Sequence, residues 1–168
     1  MNKWKTNSPE LGHSSSAIRK GKRVTAIGNE ILLALGANLP HGDQPPERTL
    51  RQALSDLAAA GLAGLRVSRF FMTPCFPPGA GPDYVNAAAA CPVPQGWDAP
   101  RTLALLHDIE SRHGRHRETR WGMRTLDLDL LAFGDAILPA RATWDHWHAL
   151  PPADQARLAP DRLILPHP

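Results

Sequence analysis

Asp127 and Asp129 are the residues in this sequence best suited to bind a metal ion together. They alternate with leucines between Thr125 and Leu130, which predicts a strand with both carboxylates on one face. Such a strand places the two Asp Cα atoms roughly 6.5–7 Å apart, so the carboxylates can share two divalent ions. Their hard oxygen atoms suit Mg²⁺, which completes its shell with water and nucleotide phosphates. A strand with a solvated acidic face explains the spacing equally well.

A cluster of arginines directly precedes this strand and favours the metal interpretation. Arginine binds phosphate oxygens through paired hydrogen bonds, so a basic segment leading into Asp-x-Asp is what a metal–polyphosphate complex requires. A solvated surface loop and an RNA-binding loop are the alternatives. The positions between 112 and 124 contain a single acid, Glu118, against five arginines: Arg112, Arg115, Arg117, Arg120 and Arg124.

A second group of residues has the chemistry to hold a heterocycle. Thr73 and Pro74 form a rigid turn, and Tyr84 and Asn86 follow with an aromatic face and an amide. An amide can pair with the donor and acceptor edge of a ring. Pro- and Gly-rich loops are common, however, and Asn86 also fits an ordinary turn or bulge.

The distribution of charge argues against a nucleic-acid-binding or membrane-binding protein. The net charge of +3 arises in residues 1–28, which hold six basic residues and one acid, whereas the rest holds 13 arginines and 15 acids. We therefore expect residues 1–28 to be a disordered basic tail. No apolar run approaches the roughly 20 residues of a membrane span, and no signal peptide is visible. Two cysteines, Cys75 and Cys91, suggest reduced thiols in a cytoplasmic protein.

The apolar pattern predicts the elements that position these residues, in the order strand, helix, strand, strand, helix, strand. Two such halves predict an α+β fold, a ferredoxin-like sandwich with a four-stranded, mainly antiparallel sheet and helices packed on it. Asp43 is a candidate N-cap of the first helix, and Asp98 opens the second. Residues 135–162 are expected to be an extended, insertion-like segment with a short helix near Ala153–Arg157. The predicted strands are 31–35, 65–72, 84–91 and 126–133.

Taken together, these motifs resemble the 6-hydroxymethyl-7,8-dihydropterin pyrophosphokinases of folate biosynthesis. The run Arg120-Trp-Gly-Met-Arg-Thr-Leu-Asp-Leu-Asp129 is similar to the family signature, and Leu35-Gly-Ala-Asn38 is similar to its first turn. Further similar segments are Phe71–Pro74, Pro82–Ala87 and Ile109–Arg115. The resemblance implies a pyrophosphokinase domain at residues 29–168.

The resemblance also implies roles for individual residues. Asp127 and Asp129 would bind two Mg²⁺ ions, and with Arg115 and Arg124 they would form the catalytic group. ATP, the co-substrate, would contact Glu110, Arg117, Arg120, Trp121 and His167. The pterin would contact Thr73, Pro74, Tyr84 and Asn86. The hydroxymethyl oxygen would attack the β-phosphorus and AMP would leave. A monomer that acts on small molecules, without nucleic acid or membrane, is expected.

Several departures from the family pattern keep alternatives open. Met123 replaces a usual proline, His107 replaces a glutamine, and Cys75-Phe76 replaces a Pro-apolar pair. Family members continue past the Pro166-His167 pair with an arginine and a pterin-stacking phenylalanine, so a truncated homologue with little activity is one alternative. A ferredoxin-like module that binds RNA or a partner is another.

Overall fold

Alternation of apolar and small or polar residues builds the central sheet. Ile31, Leu33 and Leu35 are buried at 0–2% exposure on one face of the first strand, as period-two alternation requires. The structure is a computed structural model. It describes residues 28–75, 78–79, 81–114 and 124–168. The expected disorder of residues 1–27 therefore lies outside the described residues.

The described elements follow the predicted order and add one helix near the end. They are β1 (Glu30–Ala37), α1 (Pro46–Ala59), β2 (Arg66–Val67), β3 (Phe71–Thr73), β4 (Tyr84–Pro92), α2 (Ala99–Arg112), β5 (Asp127–Phe133), α3 (Arg141–His148) and α4 (Pro152–Arg157).

All strand pairings in the described sheet are antiparallel, in the order β2-β4-β1-β5, with β3 also paired to β4. With β2 and β3 taken as one edge strand, this is the order of a ferredoxin-like sheet, and the predicted α+β class is confirmed. The helices α1 and α2 pack on one face, where Leu50, Leu57 and Leu106 are buried. The opposite face of β4, β1 and β5 does not pack against these two helices.

The edge strand is one strand in the prediction and two short ones in the structure. Val67 pairs with Ala89 and Phe71 pairs with Asn86, so four steps on the edge match three on β4. One extra residue in a strand is a β-bulge. Between the two segments, the Ser68 hydroxyl replaces a backbone carbonyl and accepts the Ala88 N–H at 3.0 Å. The bulge explains why five strands are present where four were predicted.

Two helix N-caps were predicted, and the structure has one of them. Asp98 is the N-cap of α2, and its carboxylate accepts the Arg101 N–H at 2.8 Å. Asp43 is not the cap of α1, because that helix begins at Pro46 with Pro45 as its N-cap and no side-chain cap bond. Asp43 instead lies in a turn closed by backbone hydrogen bonds between His41 and Gln44. Proline in the first turn explains the later start, since it needs no N–H partner there.

The segment 135–162 contains more helix than predicted. The short helix near Ala153–Arg157 is confirmed as α4, but α3 was not predicted. None of its residues is buried, so it lacks the apolar stripe that periodicity detects. None of the helices in the described ranges has the length and apolar character needed to cross a membrane.

Candidate active site

Three neighbouring strands bring the predicted ring-binding and metal-binding residues into one row. Gly36 on β1 pairs with Asn86 on β4 and with Asp127 on β5. Residues directly opposite each other in an antiparallel sheet point to the same face. Ala34 in the next row pairs with Asp129 and with Ala88. Glycine and alanine thus form a low floor between the amide on β4 and the two carboxylates on β5.

Gly36 permits the close approach of the Asn86 side chain. A Cβ at this position would lie 2.7 Å from Asn86 Oδ1, closer than non-bonded atoms normally come. The amide Nδ2 of Asn86 donates to the Thr73 hydroxyl at 2.7 Å, which links β4 to β3. The side chain therefore lies across β1 in a fixed orientation. Gly36 was predicted to lie in a turn, whereas the structure places it within β1, in the floor of the site.

The two predicted metal-binding carboxylates lie as the alternation on β5 required. Leu126, Leu128 and Leu130 are buried at 0–2% exposure, whereas Asp127 and Asp129 are half-buried on the other face. Arg124 forms an ion pair with Asp127 three residues further along. The Arg124 guanidinium therefore lies beside the Asp127 carboxylate.

Asn38 joins the strand that carries the carboxylates to the loop that leads into β4. Its Oδ1 accepts the Arg124 N–H at 2.8 Å, and its Nδ2 donates to the Pro82 carbonyl at 3.1 Å. The backbone adds two bonds, because the N–H groups of Asn38 and Leu39 both donate to the Arg124 carbonyl. The side chain is only 2% exposed. Asn38 was not predicted as a site residue, and the available signals were its polarity in a short turn and the resemblance of that turn to the family's first turn.

Glu110 lies beneath β5. It is 1% exposed, and its Oε1 accepts the Leu128 N–H at 2.8 Å, between the two aspartates in sequence. This contact holds β5 on α2. Glu110 does not line the cleft formed by the described residues. Its contact with ATP stays a prediction.

A hydrogen bond between two side chains ties α1 to the end of α2. His113 Nε2 lies 2.8 Å from Asp56 Oδ2, and both side chains are largely buried. Burial alone would raise the pKa of Asp56, but the hydrogen bonds with His113 and Gln52 outweigh it and hold that pKa below its ordinary value. The His41 ring lies 5.6 Å from that of His113. His113 is the second residue of the predicted arginine segment at positions 112–124, so its bond to Asp56 holds the start of that segment on α1.

The row of strands opens into a cleft of about 840 Å³. This volume lies within the range of pockets that bind small molecules. It lies between the sheet face and the segment that contains α3 and α4. The cleft brings together most of the predicted site residues. Those that line it are Thr73, Pro74, Tyr84, Asn86, Arg124, Asp127, Asp129 and His167.

Four predicted residues cannot be placed. Arg115, Arg117, Arg120 and Trp121 lie outside the described residues. The catalytic role predicted for Arg115 and the ATP contacts predicted for the other three residues therefore stay predictions. Trp147 also lines the cleft, although it was not among the predicted site residues.

The donor set in the cleft fits a hard divalent cation. Asp127 and Asp129 offer carboxylate oxygens, the ligand type that Mg²⁺ prefers. No group of three or more His, Cys, Asp or Glu side chains within the described ranges is arranged to hold a metal by itself. A cation held by this pair would therefore take further ligands from water and substrate phosphates, as Mg²⁺ does in nucleotide-binding enzymes.

Comparison with known proteins relates the chain to a known family. The model of the family described as 7,8-dihydro-6-hydroxymethylpterin-pyrophosphokinase (HPPK) matches residues 32–168. The matched range contains most of β1, all of β4 and β5, and all eight predicted residues that line the cleft.

Individual relatives carry a consistent name. The chain is similar to proteins named 2-amino-4-hydroxy-6-hydroxymethyldihydropteridine pyrophosphokinase from three bacteria. The Pseudomonas putida protein is 38% identical over 69% of this chain and 92% of its own length. The Haemophilus influenzae protein is 36% identical over 68% of this chain and 69% of its own. The Synechocystis protein is 37% identical over 68% of this chain, and the chain spans only 56% of that relative.

Proposed function

Because the chain belongs to the 7,8-dihydro-6-hydroxymethylpterin-pyrophosphokinase family, we propose that it transfers pyrophosphate from ATP to 6-hydroxymethyl-7,8-dihydropterin and releases AMP. This is a step of folate biosynthesis. One observation carries the proposal to the residues. Asn86 and the Asp127–Asp129 pair share one cleft, with only the small residues of β1 between them. A ring held at Asn86 thus lies beside a phosphate group held at the carboxylates.

Binding of the pterin is assigned to the β3–β4 side of the cleft. Thr73 fixes the Asn86 amide through a 2.7 Å hydrogen bond, so the amide is oriented before the ring arrives. Tyr84 and Pro74 line the same side. An oriented amide and a flat aromatic wall suit a ring with both donors and acceptors on its edge. These side chains therefore lose their conformational entropy when the protein folds, and not when the pterin binds.

Binding of the polyphosphate is assigned to the β5 side. Asp127 and Asp129 would hold Mg²⁺, as a pair of ions. When bound, Mg²⁺ neutralises the phosphate charge and aligns the attacking and leaving oxygens. Arg124 is held beside Asp127 and adds a fixed positive charge. Arg115, Arg117, Arg120, Trp121 and His167 complete the proposed ATP contacts, and Arg115 joins the catalytic group with Arg124 and the two aspartates.

Transfer itself requires little covalent chemistry from the protein. The hydroxymethyl oxygen attacks the β-phosphorus, the bond to the α-phosphate oxygen breaks, and AMP leaves with that oxygen. The chain contributes positioning and charge neutralisation, which dominate phosphoryl-type transfers. Glu110 acts one step away, because it holds the backbone of Leu128 between the two carboxylates. We therefore assign Glu110 a positioning role.

The compartment is proposed from the thiols. Cys75 and Cys91 are both free and buried. Burial raises the pKa of the Cys91 thiol, which keeps it protonated and unreactive. Free thiols fit the reducing cytoplasm, where we place the protein.

Two alternatives from the sequence are not favoured. An RNA- or partner-binding module has no use for two carboxylates beside an oriented amide, and the family match extends over residues 32–168. The family match and the named pyrophosphokinases among the relatives likewise favour the enzyme over a homologue with little activity.

The proposal is tested by AMP release. Purified protein is incubated with ATP, and AMP is measured with and without Mg²⁺ and 6-hydroxymethyl-7,8-dihydropterin. The expected result is AMP formation that requires both additions. AMP formation that continues without the pterin would contradict the assigned acceptor, and no AMP under any condition would contradict the activity.

A further inference from the structure

The segment after β5 is fixed beside the active site by backbone hydrogen bonds. Leu138 and Leu165 exchange two of them, at 2.9 Å and 3.2 Å. The His167 N–H then donates to the Leu131 carbonyl of β5 at 2.8 Å. These contacts bring both ends of residues 138–165 to one place next to β5. The helices between them, α3 and α4, therefore lie beside the cleft and not in an unrelated position.

Trp144 anchors α3 in this arrangement. Its Nε1 donates to the Pro166 carbonyl at 2.7 Å. Its ring stacks on His148 with centroids 4.6 Å apart, and the Arg141 guanidinium lies 5.3 Å from its centroid. A tryptophan with its N–H satisfied and its ring covered has a structural role. Trp144 does not line the cleft that the described residues form.

Trp147 lies on the same helix but takes part in the cleft. It is three residues after Trp144, so it projects from an adjacent part of the helix surface. It is half-buried and lines the cleft that contains Asp127 and Asp129. Its ring meets that of the neighbouring His146 at 82°, with centroids 6.0 Å apart, so these two rings are not stacked. Among the described residues, no aromatic ring lies parallel on the indole of Trp147. A parallel stack is the contact that a flat ligand ring would make.

We infer that Trp147 is a substrate-binding residue that stacks on a planar nitrogen heterocycle. This inference rests on the proposed function, which supplies two such rings, adenine and pterin. Stacking on an aromatic side chain requires only a π-face, so both rings share the chemistry. The segment that was expected to be an insertion thereby becomes a wall of the active site. Trp144 holds the wall in place, and Trp147 supplies its contact with substrate.

Direct binding measurements test this role. Calorimetry measures two Kd values for the protein. The first is for α,β-methylene-ATP in the presence of Mg²⁺. The second is for 6-hydroxymethyl-7,8-dihydropterin with this ATP analogue present at saturation. In Trp147→Ala we expect one of the two Kd values to rise on the order of 10-fold, in line with the loss of a base–aromatic stack. Trp147→Phe keeps a flat ring and should recover most of the affinity. The ligand whose Kd rises identifies the ring that stacks.

Controls separate binding from packing. Asp145→Ala removes an exposed residue of α3 that pairs with Arg141, and it should leave both Kd values within 2-fold of the unmodified chain. If Trp147→Ala and Trp147→Phe likewise leave both values within 2-fold, Trp147 only packs and the inference is wrong. Binding is measured apart from turnover. Absent AMP formation by the unmodified chain would therefore contradict the proposed function, whereas unchanged Kd values would contradict the role of Trp147.

Discussion

Replacement of Asn38 by alanine should lower the free energy of unfolding, because it removes hydrogen bonds beside the active site. The change removes the bond from Arg124 N–H at 2.8 Å and the bond to the Pro82 carbonyl at 3.1 Å. Each hydrogen bond contributes about 1 kcal/mol net, and a buried partner left unsatisfied costs roughly 1–3 kcal/mol. Because Asn38 is 2% exposed, water can replace it only in part. We expect the free energy of unfolding to fall by about 2–4 kcal/mol.

Urea denaturation measures this loss. With a slope on the order of 2 kcal/mol/M, the midpoint should fall by about 1–2 M without a change in slope. The matched control is Ser68→Ala, which also removes a side chain that accepts a backbone N–H and donates to a carbonyl, but at an exposed position. It should cost less than about 1 kcal/mol. If Asn38→Ala costs no more than Ser68→Ala, the clamp between Arg124 and Pro82 does not stabilise the protein as argued.

Three further substitutions test separate parts of the account. Gly36→Ala places a Cβ 2.7 Å from Asn86 Oδ1, so the KM for the pterin should rise on the order of 10-fold. The KM for ATP should change little. Equal changes in both KM values would contradict the assignment of the pterin to the β3–β4 side of the cleft. Asp129→Asn should lower kcat by at least about 100-fold with an unchanged unfolding midpoint, and retained turnover would remove Asp129 from the metal site. Asp56→Asn should lower stability at pH above about 4, where the depressed pKa of Asp56 keeps the carboxylate charged beside His113. The difference in unfolding free energy between this variant and the unmodified chain should shrink as the pH falls below about 3.8, the ordinary Asp pKa. Urea denaturation above and below this pH measures the difference. A difference that stays constant would refute the reasoning.

The elements that carry the chemistry were predictable because local patterns determine them. The alternation from Leu126 to Leu130 predicted both the strand and the face of each carboxylate, and the structure agrees. Asp98 predicted a helix start because capping involves only neighbouring residues. The bulge near Ser68 was not predictable, since it depends on a hydroxyl that bonds a residue on the partner strand.

The parts that the sequence did not reveal depend on partners distant in the chain. Asn38 bonds to a residue 86 positions away, so its turn composition carried no sign of the contact. The approach of Asn86 to Gly36 follows only from the register of β1 with β4. The helix α3 has no buried stripe, and its anchor is a carbonyl 22 positions further on. Its contribution of Trp147 to the cleft therefore became visible only in three dimensions.

In the proposed reaction, two phosphates move together from ATP to the pterin. Phosphorus NMR of the complete reaction tests this transfer, because it distinguishes every product. We expect AMP and a pterin diphosphate in equal amounts, with two coupled phosphorus signals on the pterin product. ADP together with a pterin monophosphate would contradict it, since attack would then have occurred at the γ-phosphorus.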